Sequence, residues 1–187
     1  MPPPPPTTGS RGMPGWAIAL LVLAAVVFLV IGPLAALAIH GMNKFMRAAK
    51  QAEARNSLGQ MSRDAVMVYE REGSSADAGP TGHRVCPSAS RPVPQQSALI
   101  SGKKYMAGDA EWTVDREQNA GFACLGFSLS SPQYYQYDYK ATADSFTAIA
   151  RGDVDGDGEY AEFRLGGHVV DGELKIDART EETNPDE

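Results

Sequence analysis

Between Trp16 and Ile39 the sequence reads WAIALLVLAAVVFLVIGPLAALAI, 24 residues without a charged side chain. As an α-helix at about 1.5 Å per residue, this stretch is about 36 Å long, more than the ~30 Å hydrocarbon layer of a bilayer requires. A buried helix of a soluble protein rarely runs so far without a polar residue, and a cleaved signal peptide has a shorter apolar region of about 7–15 residues. The stretch therefore predicts a retained transmembrane helix over residues 16–40, with the lipid bilayer as its partner.

The segment ahead of it, residues 1–15, reads MPPPPPTTGSRGMPG. Prolines favour extended polyproline II backbone and glycines favour flexibility, so we expect a disordered, proline-rich tail. A docking site for a proline-binding partner is the alternative use of this tail.

A second helical pattern follows, because residues 44–72 contain no proline and a single glycine. Apolar side chains recur there at steps of four, three, four, three and one, which places them on one face of a helix. Gly73 then provides a C-terminal stop. The pattern predicts an amphipathic continuation of the helix over residues 41–72, and its apolar face comprises Ala54, Leu58, Met61, Ala65, Val68 and Tyr69.

Residues 73–109 are rich in glycine, proline and serine and show no periodicity, so we predict an irregular loop. A loop of this length inside a compact domain needs to be tied down. Cys86 lies within it, and Cys124 lies in a later apolar run. A Cys86–Cys124 disulfide, worth about 3–4 kcal/mol on loop-entropy grounds, would pin the loop if the domain is exported. Two buried free thiols are the alternative.

Residues 110–179 are predicted to form an antiparallel β domain of four to six short strands. Asp171-Gly172 gives a hairpin-turn signal, because both residue types tolerate positive φ. We expect residues 180–187 to be a loose acidic tail. With the long helix, this predicts an α+β fold, in which the expected strands cover residues 111–115, 135–139, 146–151 and 159–165 and a hairpin covers residues 169–174.

The charge distribution excludes nucleic acid as a partner. Residues 141–187 hold four basic and thirteen acidic side chains, a balance of −9 within a total of −6. Binding to phosphates requires clustered Lys and Arg instead. Two features of the sequence give conflicting predictions for the orientation of the chain in the membrane. Basic residues after the apolar segment favour a cytoplasmic domain, whereas a disulfide favours an oxidising compartment.

The sequence offers little catalytic chemistry. His40, His83 and His168 are scattered, and there is no nucleophile elbow, phosphate loop or metal-spaced His/Cys cluster, so we expect no enzyme activity and no cofactor. Tyr135, Tyr137 and Tyr139 share a strand face, which favours packing against the helix over a stacking surface for ligands.

One ligand-like cluster remains, the glycine- and aspartate-rich run at residues 152–158. Asp153, Asp155 and Asp157 resemble the start of a calcium loop, although the twelfth position, where such loops place a carboxylate, holds Arg164. Glu159 or Glu162 is an alternative ligand. A plain hairpin turn is the alternative to a calcium site.

Several stretches resemble type IV pilins. Ile31-Gly32 and residues 34–39 are similar, without gaps, to the membrane half of the pilin helix. The similarity covers roughly residues 16–167, through Lys44-Phe45, Lys50-Gln51, Glu53-Ala54-Arg55, Leu58, residues 125–128, the tyrosine-rich strand and residues 146–158.

The resemblance implies a pilin-like fold, in which the C-terminal half of the long helix packs on an antiparallel sheet. It also implies a cytoplasmic tail, an inner-membrane span and a periplasmic domain. Its partners would be other pilin-like subunits or the pilus or secretion machinery. Helix–helix contacts in lipid would use small side chains that permit close approach, namely Ala35, Ala36, Ala38, Ala48 and Ala49.

The chain departs from the family where pilins are processed. Prepilin peptidase cuts between Gly and Phe, with a Glu four residues after that Phe; these positions are Ile18, Ala19 and Leu23 here. Sliding the register to Gly15-Trp16 places Leu20 where Glu is needed. We therefore expect an uncleaved, pilin-like structural or interaction protein. The alternatives are a membrane-tethered calcium or ligand sensor and a filament subunit processed at an atypical site.

Overall fold

The structure, a computed structural model, describes residues 13–72 and 83–185. The chain divides into two compact units, Met1–Phe45 and Met46–Glu187. Predictions for residues 1–12, 73–82 and 186–187 lie outside the described residues. They include most of the proline-rich tail and the first part of the irregular loop.

The first unit contains the beginning of helix α1, Gly15–Glu72. Residues Gly15–Ala35 are long and apolar enough to cross a membrane, judged by length and composition, and 0% of them are buried within the protein. Phe28 and Leu29 keep 77% and 71% of their surface exposed. The prediction of an apolar N-terminal helix is confirmed.

The second unit combines the rest of α1 with short helices and a small antiparallel sheet. A 3₁₀ turn, Ser97–Leu99, interrupts the described part of the irregular loop. The other elements are α2 (Asp109–Trp112), α3 (Gly121–Leu125), β1 (Gln136–Ala141), β2 (Ser145–Gly152), β3 (Ala161–Val170), β4 (Glu173–Ile176) and β5 (Glu181–Thr183).

The sheet has the order β1-β2-β3-β4, and β5 also pairs with β3. Because β2 occupies one edge of β3 along residues 161–168, β4 and β5 share the other edge. Asp171 and Gly172 have φ of 55° and 83°, the two positive values that a tight hairpin turn of this kind requires. The predicted hairpin between β3 and β4 is therefore confirmed.

The core lies between α1 and one face of the sheet. All six residues of the predicted apolar face of α1 are buried, from Ala54 to Tyr69. The predicted tyrosine face is confirmed as well, since Tyr135, Tyr137 and Tyr139 are each 0% exposed and belong to the same hydrophobic cluster. Alternation along the strands produces this face, with inward side chains at every second position.

The prediction of a strand at residues 111–115 is wrong, because helix α2 begins at Asp109 and the sheet begins only at Gln136. The carboxylate of Glu111 accepts the Gly108 backbone N–H at 2.9 Å, which satisfies a donor at the start of the helix. Acidic side chains in a first turn also suit the positive end of the helix dipole. The alternation of polar and apolar side chains at residues 111–115 therefore comes from the burial of Trp112 in a short helix and does not mark a strand.

The expectation of a loose tail is also wrong for the residues that form β5. Glu162, Phe163 and Arg164 of β3 pair with Thr183, Glu182 and Glu181. Unpaired backbone groups along the exposed edge of β3 explain why so polar a segment forms a strand. The sheet therefore extends beyond residue 179.

Candidate functional site

The predicted disulfide joins the loop after residue 83 to helix α3. Cys86 and Cys124 have their Cα atoms 5.8 Å apart and are bonded through sulfur. Both are buried, at 1% and 8% exposure. The loop is also fixed to the edge of β1, where the Ala89 N–H donates to the Tyr139 carbonyl at 2.9 Å. The disulfide therefore cross-links the part of the second unit that has little regular structure.

The aspartate cluster forms the turn between β2 and β3, which we call the Asp turn (residues 153–158). Asp153, Asp155 and Asp157 each place one carboxylate oxygen within 4.8 Å of the others. Asp153 is buried, and the other two are exposed. Among the described residues, no Glu or His joins this cluster. Arg164 lies on β3 instead, where it pairs with Glu162 at 2.6 Å.

The buried carboxylate of Asp153 accepts three hydrogen bonds from protein donors. Its carboxylate accepts the Ser101 hydroxyl at 2.6 Å and the Gly156 and Gly158 backbone N–H groups at 2.7 and 3.2 Å. Asp157 contributes to the turn as well, because its carboxylate accepts the Glu159 backbone N–H at 2.8 Å. The exposed carboxylates of Asp155 and Asp157 are the groups that remain accessible to a cation.

Four polar side chains at the start of the packed part of α1 contact separate segments of the second unit. We call them the α1 belt; sequence reasoning did not identify them as a group. The Lys50 ammonium donates to the Val154 carbonyl at 3.2 Å, and the Gln51 amide donates to the Pro185 carbonyl. The other two members are Glu53 and Arg55.

Glu53 connects α1 to the residues just before β1. Its carboxylate accepts the Tyr134 backbone N–H at 2.8 Å and lies 3.4 Å from the Tyr137 hydroxyl. Burial raises the pKa of Glu53, against the opposing effects of the Tyr134 N–H and the Lys104 charge. Burial likewise raises the pKa of the Tyr137 hydroxyl, and the nearby Glu53 charge adds to this effect.

Arg55 connects α1 to β5. Its Nε and Nη2 donate to the two carboxylate oxygens of Glu182 at 2.7 and 2.9 Å. Its guanidinium carbon also lies 5.4 Å from the ring centroid of Phe163. The Arg55 hydrogen bond lowers the pKa of Glu182. The only sequence signal for these contacts was the placement of charged residues beside the apolar stripe of α1.

The remaining residues that the sequence singled out do not form one site. Ala35, Ala48 and Ala49 are exposed on α1, and the side chains of Ala36 and Ala38 lie outside the described set. Their helix–helix contacts stay a prediction. The His83 ring stacks on the Tyr69 ring with their centroids 4.8 Å apart, whereas Nδ1 of His168 lies 3.1 Å from Oδ1 of Asp177.

Comparison of this chain with protein-family models, with curated proteins and with solved structures finds no match in any of the three.

Proposed function

We propose that this chain is a non-catalytic, pilin-like protein with a single transmembrane helix. Its tail would be cytoplasmic, its span would lie in the inner membrane, and its β unit would face the periplasm. The observation that carries the proposal is the packing of the amphipathic half of α1, from Ala54 to Tyr69, on an antiparallel sheet. This is the layout that the pilin resemblance implies.

The disulfide supports the proposed orientation. Disulfides persist in oxidising compartments such as the periplasm and are rare in the cytosol. The Cys86–Cys124 bond therefore supports a periplasmic unit, against the basic residues that follow the apolar segment. The Gly15–Ala35 helix supports membrane attachment, because it is apolar and, in the part of the chain that the structure describes, none of its residues is buried.

The proposed role is that of a structural or interaction protein, an accessory component of a type IV pilus or a type II secretion-like apparatus. Association would occur through the small residues of α1, including Ala35, Ala48 and Ala49, which are exposed. Without a prepilin peptidase site, the proline-rich tail would stay attached. A terminus at Met1 or Pro2, read by mass spectrometry from native membranes, is the expected result; a terminus at the start of the apolar segment or beyond it would instead identify a processed filament subunit.

The orientation is tested by labelling single introduced cysteines in intact spheroplasts with a maleimide that cannot cross membranes. Ser128→Cys, at an exposed position of the second unit, is expected to react without lysis. The matched variant Ser10→Cys, in the tail, is expected to react only after lysis. The reverse pattern would contradict the proposed topology.

A second candidate function is calcium binding at the Asp turn, favoured by the three carboxylates within 4.8 Å of one another. Oxygen ligands of this kind suit calcium. Millimolar calcium is then expected to raise the melting temperature of the full-length protein in detergent. Asp155→Asn should abolish the rise, whereas Asp171→Asn, in the next turn, should retain it. No rise in the wild type would exclude this candidate.

A further inference from the structure

We propose that β5 is a C-terminal latch that opens and closes independently of the rest of the sheet, and that Arg55 holds it closed. The latch consists of Glu181, Glu182 and Thr183, and it lies on the edge of β3. This inference does not depend on the membrane topology proposed above.

The attachment of β5 to the sheet is slight. All three of its residues are exposed and none belongs to the hydrophobic core cluster, although the Glu182 side chain, held by Arg55, is only 29% exposed. It pairs with β3 over three positions only, whereas β2 pairs with β3 over eight, from Ser145 to Gly152. Segments with few buried contacts open locally at a lower free energy than the core does.

Arg55 compensates for this slight attachment. Its guanidinium binds both carboxylate oxygens of Glu182 and also lies over the ring of Phe163. Phe163 and Glu182 are register partners across β3 and β5, so one side chain of α1 contacts both members of the pair. Two parallel N–H···O bonds from arginine are stronger and more directional than a single ion contact.

Opening would change a defined part of the molecule. The backbone edge of β3 at Glu162–Arg164 would lose its partners, while its other edge would remain paired with β2. The bond from the Gln51 side chain to the Pro185 carbonyl would be lost in the same event. The unpaired edge would then lie beside a guanidinium that has lost Glu182 but keeps its contacts with Gln51 and the Phe163 ring, and the rest of the sheet would stay intact.

The test is amide hydrogen exchange by NMR on the full-length chain in detergent micelles. Arg55→Ala is expected to speed exchange about two- to fivefold at the β5 amides that donate to β3 and at those amides of Glu162–Arg164 that donate to β5, the range set by exposed ion pairs. The amides of Phe146, Ala148 and Ala150 on β2 should keep their rates. Arg55→Lys should restore part of the protection.

A matched control removes an exposed ion pair that does not touch the latch. Lys140→Ala breaks the 3.1 Å contact between Lys140 and Asp138, both on β1, and should leave exchange in β5 unchanged. Molar salt should speed β5 exchange in the wild type and have no effect in Arg55→Ala, because screening acts on the ion pair. The Glu182→Ala change should add nothing to Arg55→Ala, since both remove the same interaction.

Two results would overturn the proposal. If Arg55→Ala accelerates the β2 amides as much as the β5 amides, the latch has no independent opening. If it leaves the β5 amides unchanged, Arg55 does not hold the strand.

Discussion

At the scale of single residues, Glu53 links the amphipathic helix to the sheet at a cost in charge burial. Its carboxylate accepts the Tyr134 N–H, yet burial raises its pKa above the ordinary glutamate value. The folded protein therefore binds the Glu53 proton more tightly than the unfolded chain does. As pH rises from the ordinary glutamate pKa through the raised value, ionisation of Glu53 lowers the free energy of unfolding.

Glu53→Gln is expected to remove this pH-dependent loss of stability, because the amide oxygen can still accept the Tyr134 N–H without carrying a charge. Denaturant unfolding of the full-length protein in detergent should show the variant to be more stable than the wild type near pH 7. The difference should shrink toward about pH 4, where the glutamate is protonated.

The control for this prediction is Glu117→Gln, which changes an exposed glutamate. Its free energy of unfolding should stay close to that of the wild type both near pH 7 and near pH 4. A Glu53→Gln variant that is less stable than the wild type at neutral pH would show that the ionised carboxylate stabilises the helix–sheet contact.

Among single residues, Cys86 and Cys124 were predictable as a pair because two cysteines allow a single pairing and the irregular loop needed a tether. The links that Glu53 and Arg55 make between elements were not predictable. A charged residue beside an apolar stripe usually faces solvent, and only the position of β1 and β5 in space gives these two side chains their partners.

At the scale of elements, the apolar face of α1 was predictable because its period is that of a helix. Leu58 is 0% exposed and belongs to the core cluster. Leu58→Ala is expected to lower the free energy of unfolding by about 2–5 kcal/mol, since it removes buried methyl groups and leaves a cavity. Chemical denaturation followed by tryptophan fluorescence measures the change, because Trp112 is buried in the same cluster.

Met67 provides the matched control on the same helix, because it is 59% exposed. Met67→Ala should change the free energy of unfolding by no more than about 0.5 kcal/mol. Equal losses for the two variants would mean that α1 does not pack on the sheet by the predicted face.

The helix–strand error at residues 111–115 also belongs to this scale. Alternation over five residues does not distinguish a strand from one turn of helix followed by an irregular turn. The helical turn forms here because the Glu111 carboxylate accepts the Gly108 backbone N–H at the start of the helix. Trp112 then packs against Phe122 and Phe127. Hydrophobic periodicity was too short a signal here, whereas along α1 it extended over several turns.

At the scale of the whole molecule, the disulfide is expected to make a large contribution to the stability of the second unit. Cys86 and Cys124 are 38 residues apart. On loop-entropy grounds, replacing both by serine should lower the free energy of unfolding by about 3–4 kcal/mol. Denaturant unfolding of the oxidised full-length protein measures the loss.

Reductant supplies the control for this measurement. It should destabilise the wild type to the level of the double serine variant and leave that variant unaffected. A loss below about 1 kcal/mol would mean that the backbone bonds from Ala89 and Val93 to the edge of β1 hold the loop without the disulfide.

The sequence by itself determined those features that depend on composition and short-range period. These are the apolar helix that begins at Gly15, the buried stripe of α1, the tyrosine face of the sheet and the Asp171-Gly172 turn. Each follows from hydrophobicity or backbone preference within a few neighbouring residues. Tertiary structure alone decided the short helix at Asp109, the addition of β5 to β3 and the partners of the α1 belt. Those outcomes depend on groups brought together from distant parts of the chain, where an unpaired strand edge or a half-buried charge takes the partner that folding places beside it.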